Sequence, residues 1–252
     1  MNQSPILRAL SSIRKSGARA LLMGGQACIF YGAAEFSRDL DLLILLDPEN
    51  LARIRNALAD LHAELVAVPP FDANHLKRGH AVHFRCRRED VAGLRIDLMS
   101  SPRGLAGFEE LWERRTTIEI DGEPIDLLAL EDLVRAKKTQ RDKDWPMIRR
   151  LVEQSYFTKA GTQNREEIEF WLRELRSPEL LLDVVRAHAS ITQTIAHFRP
   201  AVQAALTGRI SAVSRALDEE EADERCRDRS YWEPLKRELE EFRRKNRGKE
   251  SA

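Results

Sequence analysis

Apolar and polar positions alternate with two different periods along this chain, and the change between them divides it. Residues 4–15 carry Ile6, Leu7, Leu10 and Ile13 at helical spacing, and Gly17 stops the run, so a first helix is expected there. Residues 18–23 read as a short buried strand, residues 26–31 as a helix ending near Gly32, and residues 40–46 as a second strand. Asp47-Pro48-Glu49 is a helix start: a capping side chain, proline in the first turn and an acid at the positive end of the dipole. The helix it opens carries Leu51, Ile54, Leu58 and Leu61 on one face. Strands are expected at 64–68, 81–86 and 94–99, and a helix at 108–114. Residues 116–120 and 124–127, joined by Asp121-Gly122, predict a β-hairpin. Beyond Leu128 the strand signals stop. Helices are expected at 130–140, 144–154, 165–175 and 178–197, with two more towards the end. The segment 158–164 is the best linker, and 235–247 reads as a charged helix with a basic tail. The pattern predicts an α+β fold, a mixed β-sheet flanked by helices, followed by an all-helical C-terminal region. The expected divisions are 1–128, 129–157 and 165–252.

Composition narrows the class. With 42% hydrophobic and 33% charged residues in 252, the chain is globular and can bury a core. Basic and acidic residues balance at 41 each, so bulk charge gives no support for a nucleic-acid partner. Three widely spaced cysteines, Cys28, Cys86 and Cys226, form no zinc pattern and read as reduced thiols in a cytoplasmic protein. The N-terminal residues lack the apolar core of a signal peptide, and no apolar run approaches the ~20 residues that span a membrane.

One stretch does not fit a plain core. Gly24-Gly25 is followed by Ser37-Arg38-Asp39-Leu40-Asp41 and then by Leu42-Leu43-Ile44-Leu45-Leu46. Residues two apart on a strand share a side, so Asp39 and Asp41 project together at the start of a buried strand, where charges need a partner. A matching acid lies in Arg95-Ile96-Asp97-Leu98-Met99, where Asp97 alternates with core residues. Carboxylates so arranged suit magnesium, which takes oxygen ligands and substrate phosphates. Glycines at 24 and 25 let backbone approach a ligand, and the helix after them offers unpaired N–H groups to a phosphate. Ser37 and Arg38 add a hydroxyl and a positive charge. The plainer readings are a turn at the glycines, a cap at Ser37, and Asp97 paired with Arg95 on its own face. His80 and His83 read as strand residues rather than ligands, and the four tryptophans as packing residues.

The glycine pair, thirteen residues, Asp-Leu-Asp, an apolar strand and a later strand acid together resemble the signature of the polymerase-β-type nucleotidyltransferase superfamily. The later block IDLLALEDLVRAKKTQRDKDWPMIRRL resembles the helical segment that follows the catalytic core in minimal nucleotidyltransferases, including toxins of the AbiEii type. The resemblance covers roughly residues 18–151. It implies a Mg²⁺-dependent transfer of a nucleotide from a nucleoside triphosphate to a hydroxyl on RNA, a protein or a small molecule. Asp39, Asp41 and Asp97 would be the metal-binding and catalytic acids, with one or two Mg²⁺ ions. Gly24, Gly25, Ser37 and Arg38 would line the nucleotide, and Lys137, or Lys138 in its place, would reach the triphosphate. The same resemblance allows an antitoxin-like protein partner, and a catalytically inactive nucleotide- or partner-binding module on the same fold.

Overall fold

The computed structural model describes residues 4–34, 36–159 and 161–250. By packing, the chain divides into two units. The first runs to Phe30, resumes from Ala34 to Ala136, and takes in the end of the chain from Tyr231. The second comprises Tyr31–Ala33 and Lys137–Ser230.

The first unit is built on a seven-stranded mixed sheet. Its strands are β1 (Ala20–Met23), β2 (Asp39–Ile44), β3 (Glu64–Leu65), β4 (Val82–Arg85), β5 (Arg95–Met99), β6 (Thr116–Ile120) and β7 (Glu123–Leu127). They lie in the order β3-β4-β5-β2-β1-β7-β6. β2 runs parallel to β5, and β1 parallel to β7; the other neighbours are antiparallel. The helices are α1 (Pro5–Lys15), α2 (Gly24–Phe30), α3 (Pro48–Asp60), α4 (Ala73–Lys77), α5 (Phe108–Glu113) and α6 (Leu130–Lys137). This is the expected mixed sheet flanked by helices.

Register sorts the central residues onto two faces. Leu22, Leu42, Leu98 and Val82 form one row across β1, β2, β5 and β4, and Leu40, Ile96 and Phe84 form the next. All seven are buried. Burying such side chains gives roughly 1.5–3 kcal/mol each and fixes the register, because a one-residue slip would exchange the faces. The residues between them, including both acids of β2, face the other way.

Local signals act where the sequence placed them. Asp47 caps α3 through the Asn50 amide at 2.8 Å, and Ser4 caps α1. The β6–β7 turn has positive φ at Asp121 (53°) and Gly122 (76°), the geometry an Asp-Gly turn needs. Asn50, which no pattern singled out, is buried and clamps two strands. It accepts from the Arg19 amide at 2.7 Å and donates to the carbonyls of Arg19 and Leu45.

The second unit is helical: α7 (Asp144–Lys159), α8 (Arg165–Glu174), α9 (Pro178–Ala187), α10 (Ala189–Ala196), α11 (Pro200–Ala205) and the first part of α12 (Ile210–Glu250). Three expectations need correction. The helix expected at 178–197 is two helices, broken at His188, whose φ of −130° and ψ of 56° leave the helical region. The strand expected at 64–68 keeps only Glu64 and Leu65, followed by one more bond from the Val66 amide to the His83 carbonyl at 2.9 Å. The helix from 144 continues through Lys159 and shortens the linker. The charged helix expected at 235–247 is the last part of α12, which begins at Ile210 and continues to Glu250.

From Tyr231 onward α12 packs in the first unit. The Tyr231 hydroxyl donates to the Ser101 carbonyl at 3.3 Å. His80, fully buried ahead of β4 rather than on it, meets the Glu238 carboxylate through Nε2 at 2.8 Å. Phe242 sets its edge against His75 with ring centroids 4.9 Å apart. Among the described residues no helix is long and apolar enough to cross a membrane.

Candidate active site

The outward face of the sheet gathers the acids that the sequence singled out. Met23, Asp41, Asp97 and His83 form one row across β1, β2, β5 and β4. Asp39, Arg95 and Arg85 form the adjacent row. Asp41 and Asp97 are thus immediate neighbours on parallel strands, and Asp39 sits two residues back on the same face. Their placement follows from strand parity: Leu40, Leu42, Ile96 and Leu98 are drawn to the core, which turns the residues between them outward.

The glycine pair closes onto this row. Gly24 has φ +69°, and a Cβ there would lie 1.8 Å from Asp41 Oδ2. A Cβ on Gly25 would lie 2.5 Å from Ser37 Oγ. The start of α2 therefore lies against the Asp41 carboxylate and the Ser37 hydroxyl, and only glycine leaves that space. Gln26, buried and missed by pattern reading, donates from Nε2 to the Ser37 carbonyl at 2.7 Å and ties α2 to the loop before β2. Arg38 lies over the exposed Phe36 ring, 5.5 Å from its centroid.

Asp97 is held from two sides. Arg95 Nε donates to Asp97 Oδ1 at 2.7 Å, and His83 Nδ1 lies 2.8 Å from the same oxygen. Arg95 Nη2 is also 3.0 Å from that ring nitrogen. The nitrogen cannot donate to the acid and accept from the guanidinium at once, so we place its proton towards Asp97, the stronger acceptor. Burial pushes the Asp97 carboxyl up, but hydrogen bonds from His83 and Arg95, with their charges, outweigh it and hold the group below the usual carboxylate range. The bond to Asp97 chiefly raises Arg95. Burial opposes that, and the charges of Asp97, Asp39 and Asp41 reinforce it. The plainer expectation of an Arg95–Asp97 pair is therefore realised within the same row that collects the acids.

The donor set suits a hard divalent cation. Asp39 and Asp41 are oxygen ligands on one strand, and Mg²⁺ is commonly held by one or two carboxylates plus substrate phosphates. Asp97 lies beside them with its Oδ1 given to Arg95 and His83. Among the described residues no group of three or more His, Cys, Asp or Glu side chains is arranged to hold a metal ion.

Lys137 falls in the second unit, apart from the other site residues in the division of the chain. There its ammonium lies 3.3 Å from Asp144 Oδ1. Asp144 also accepts from Thr139 Oγ1 at 2.6 Å and Arg141 Nε at 2.7 Å. Lys138 pairs with Glu174 at 2.7 Å. Burial pushes the Asp144 carboxyl up, but the Lys137 ammonium, the Thr139 hydroxyl and the Arg141 guanidinium hold it below the usual range. A depressed folded value means that its stabilisation is complete above the unfolded pKa, about 4, and is lost as pH falls through the folded value. Asp144→Asn should therefore lower stability at neutral pH and flatten acid unfolding below about pH 4. Trp145 fluorescence against pH reads it; an unchanged acid transition would remove Asp144 from the account.

No family model matches the chain, and no curated protein matches it. Among solved structures, an antigenic nucleotidyltransferase-like protein from Paracoccidioides brasiliensis is similar at 18% identity. The match covers 83% of this chain and 94% of that one, with a TM-score of 0.40, too loose a likeness to bear on fold or activity.

Proposed function

We propose that the first unit is a nucleotidyltransferase core that moves a nucleoside monophosphate from a nucleoside triphosphate to an acceptor hydroxyl. The observation that carries this reading is the row in which Asp41 and Asp97 adjoin on parallel strands, Asp39 shares their face, and the Gly24-Gly25 backbone lies against Asp41. Asp39 and Asp41 are the residues to hold Mg²⁺. When bound, such an ion neutralises the triphosphate and lowers the pKa of the acceptor hydroxyl. Gly24 and Gly25 leave the space that the Asp41 and Ser37 side chains occupy, and Ser37 and Arg38 supply a hydroxyl and a cation for the phosphates at the same edge. The acceptor oxygen bonds to the α-phosphorus, the bond from that phosphorus to the β-phosphate bridge breaks, and pyrophosphate leaves. Asp97 takes the hydroxyl proton. Its lowered pKa keeps it ionised and ready, and also makes it a weak base, so the acidity of the hydroxyl matters. RNA or protein acceptors and a toxin role with an antitoxin-like partner rest on the sequence resemblance alone, and a cytoplasmic setting on the spacing of the cysteines.

The test is incubation of the purified chain with each labelled nucleoside triphosphate, Mg²⁺ and cell extract. Asp41→Asn should cut transfer on the order of 10²–10³-fold, the scale of losing one charge-stabilising group at a reacting centre. Equal labelling by wild type and variant would remove Asp41 from the chemistry.

A second reading is binding of a nucleotide or partner without turnover. The commitment of Asp97 to Arg95 and His83 favours it. Calorimetry with ATP and Mg²⁺ separates the two: heat of binding with no transfer to any acceptor supports the second.

A further inference from the structure

Arg95 has no part in the transfer step proposed above, yet it stands between Asp39 and Asp97 on the outward face. It is the register partner of Asp39 on the neighbouring strand, and it lies two residues from Asp97 on its own. Its Nε is 2.7 Å from Asp97 Oδ1. His83, from the strand on the other side, reaches the same oxygen at 2.8 Å. Three carboxylates on adjacent positions repel one another, and without a cation nearby they would be costly to hold half-buried. Arg95 supplies a positive charge among them without any ligand, and its side chain is 39% exposed, so it has a route to solvent.

We propose that Arg95 is a resident counter-cation of this acidic row, held by Asp97 beside Asp39 and Asp41, and that a divalent cation binding these acids competes with it. This rests on the reading of the acids as a cation site. His83 is a positioning residue that holds Asp97 from the β4 side while Arg95 turns away. The arrangement has a consequence for binding. A cation that takes Asp97 Oδ1 must displace Arg95 from that oxygen, and the energy of that pair is then subtracted from cation affinity. By reciprocity, a bound cation weakens the hold of Arg95 on the acids. Arg95 thus sets the cation concentration at which Asp97 is released to the acceptor. It also keeps the face stable below that concentration.

The experiment uses the full chain and Mn²⁺ alone, followed by calorimetry and by thermal melting. Arg95→Met removes the charge and the donors while keeping a long side chain. It should melt below wild type without divalent cations and bind Mn²⁺ about tenfold more tightly than wild type, within the usual range of coupling between linked sites. Arg95→Lys keeps the charge on a shorter, single-point donor and should fall between them, and it serves if the methionine variant does not fold. Asp97→Asn added to Arg95→Met should recover part of the melting loss, because it removes one of the negative charges that Arg95 no longer offsets, although His83 still holds the side chain.

Wild type and Arg95→Met binding Mn²⁺ equally would overturn the competition while leaving the cation site intact. No Mn²⁺ binding by either would overturn the competition and the cation reading together. The melting comparison and the double variant, which need no metal, would then show whether Arg95 still neutralises the acids.

Discussion

Gly24→Ala is expected to damage both the fold and the transfer reaction more than any other single methyl added to the first unit. The new Cβ would lie 1.8 Å from Asp41 Oδ2, 2.5 Å from its Cγ and 2.7 Å from its Cβ. Asp41 cannot slide aside, because β2 is fixed between β1 and β5 by paired backbone. Its carboxylate must rotate out of the row or the start of α2 must lift. The φ of +69° adds strain that any L side chain would feel. Overpacking and backbone strain together come to about 2–4 kcal/mol. A displaced carboxylate should lower transfer by ~100-fold, as small misplacements at a reacting centre do. Gly25→Ala is the control. Its Cβ meets Ser37, 2.5 Å from Oγ and 2.8 Å from Cβ, so it crowds the loop before β2 without meeting an acid, and its φ is not in the left-handed region. Melting temperature and transfer rate of the two variants provide the check; equal effects would mean that the contact with Asp41 is not what requires glycine.

In the second unit the largest loss is expected from Arg199→Met. Arg199 is buried ahead of α11, and its guanidinium holds three partners. Nη1 donates to the Leu172 carbonyl and Nη2 to the Leu175 carbonyl, each at 2.8 Å, and Nε donates to Glu220 Oε1 at 2.9 Å. The two carbonyls close the C-terminal end of α8, where no further helical amide is available. Glu220 keeps a second cation, Arg176, at 3.1 Å when Arg199 is removed. The loss therefore falls on the carbonyls, which methionine leaves buried and unpaired. At about 1–3 kcal/mol for each such group, a cost of roughly 2–5 kcal/mol is expected. Arg176 also benefits: burial and the neighbouring Arg199 charge both push its guanidinium down, and removing Arg199 lifts one of these. Urea unfolding followed through tryptophan fluorescence should show a lower midpoint for Arg199→Met and partial recovery for Arg199→Lys. An unchanged midpoint would show that α8 does not depend on this cap.

Much of the first unit was legible because its signals are local. Alternation in Asp39-Leu40-Asp41-Leu42 and Arg95-Ile96-Asp97-Leu98 assigns each residue a face without knowledge of the neighbouring strand. Asp47-Pro48 and Asp121-Gly122 specify a cap and a turn through their own backbone chemistry. What was not legible depends on partners far along the chain. His83 meets Asp97 only because β4 pairs with β5 in one register, and sequence alone gave its side chain no partner. Gln26 and Asn50 look like surface residues until the carbonyls they clamp are in place. The break at His188 carries no glycine or proline, and apolar residues at Leu181, Val184, Val185, Ile191 and Ile195 continue a helical rhythm across it.

The two faces of the central sheet also differ in how freely they can change. Exchanging Arg95, His83 or Arg85 alters charge on the outward rows and leaves Ile96, Phe84 and Val82 packed as before. Deleting one residue just ahead of β5 would instead send Arg95 and Asp97 inward, and no nearby substitution could restore the lost packing. Point replacement at outward positions can therefore change the chemistry of this face without repacking the core. Length changes should be tolerated in the connections instead, where added residues do not reverse which way a strand faces.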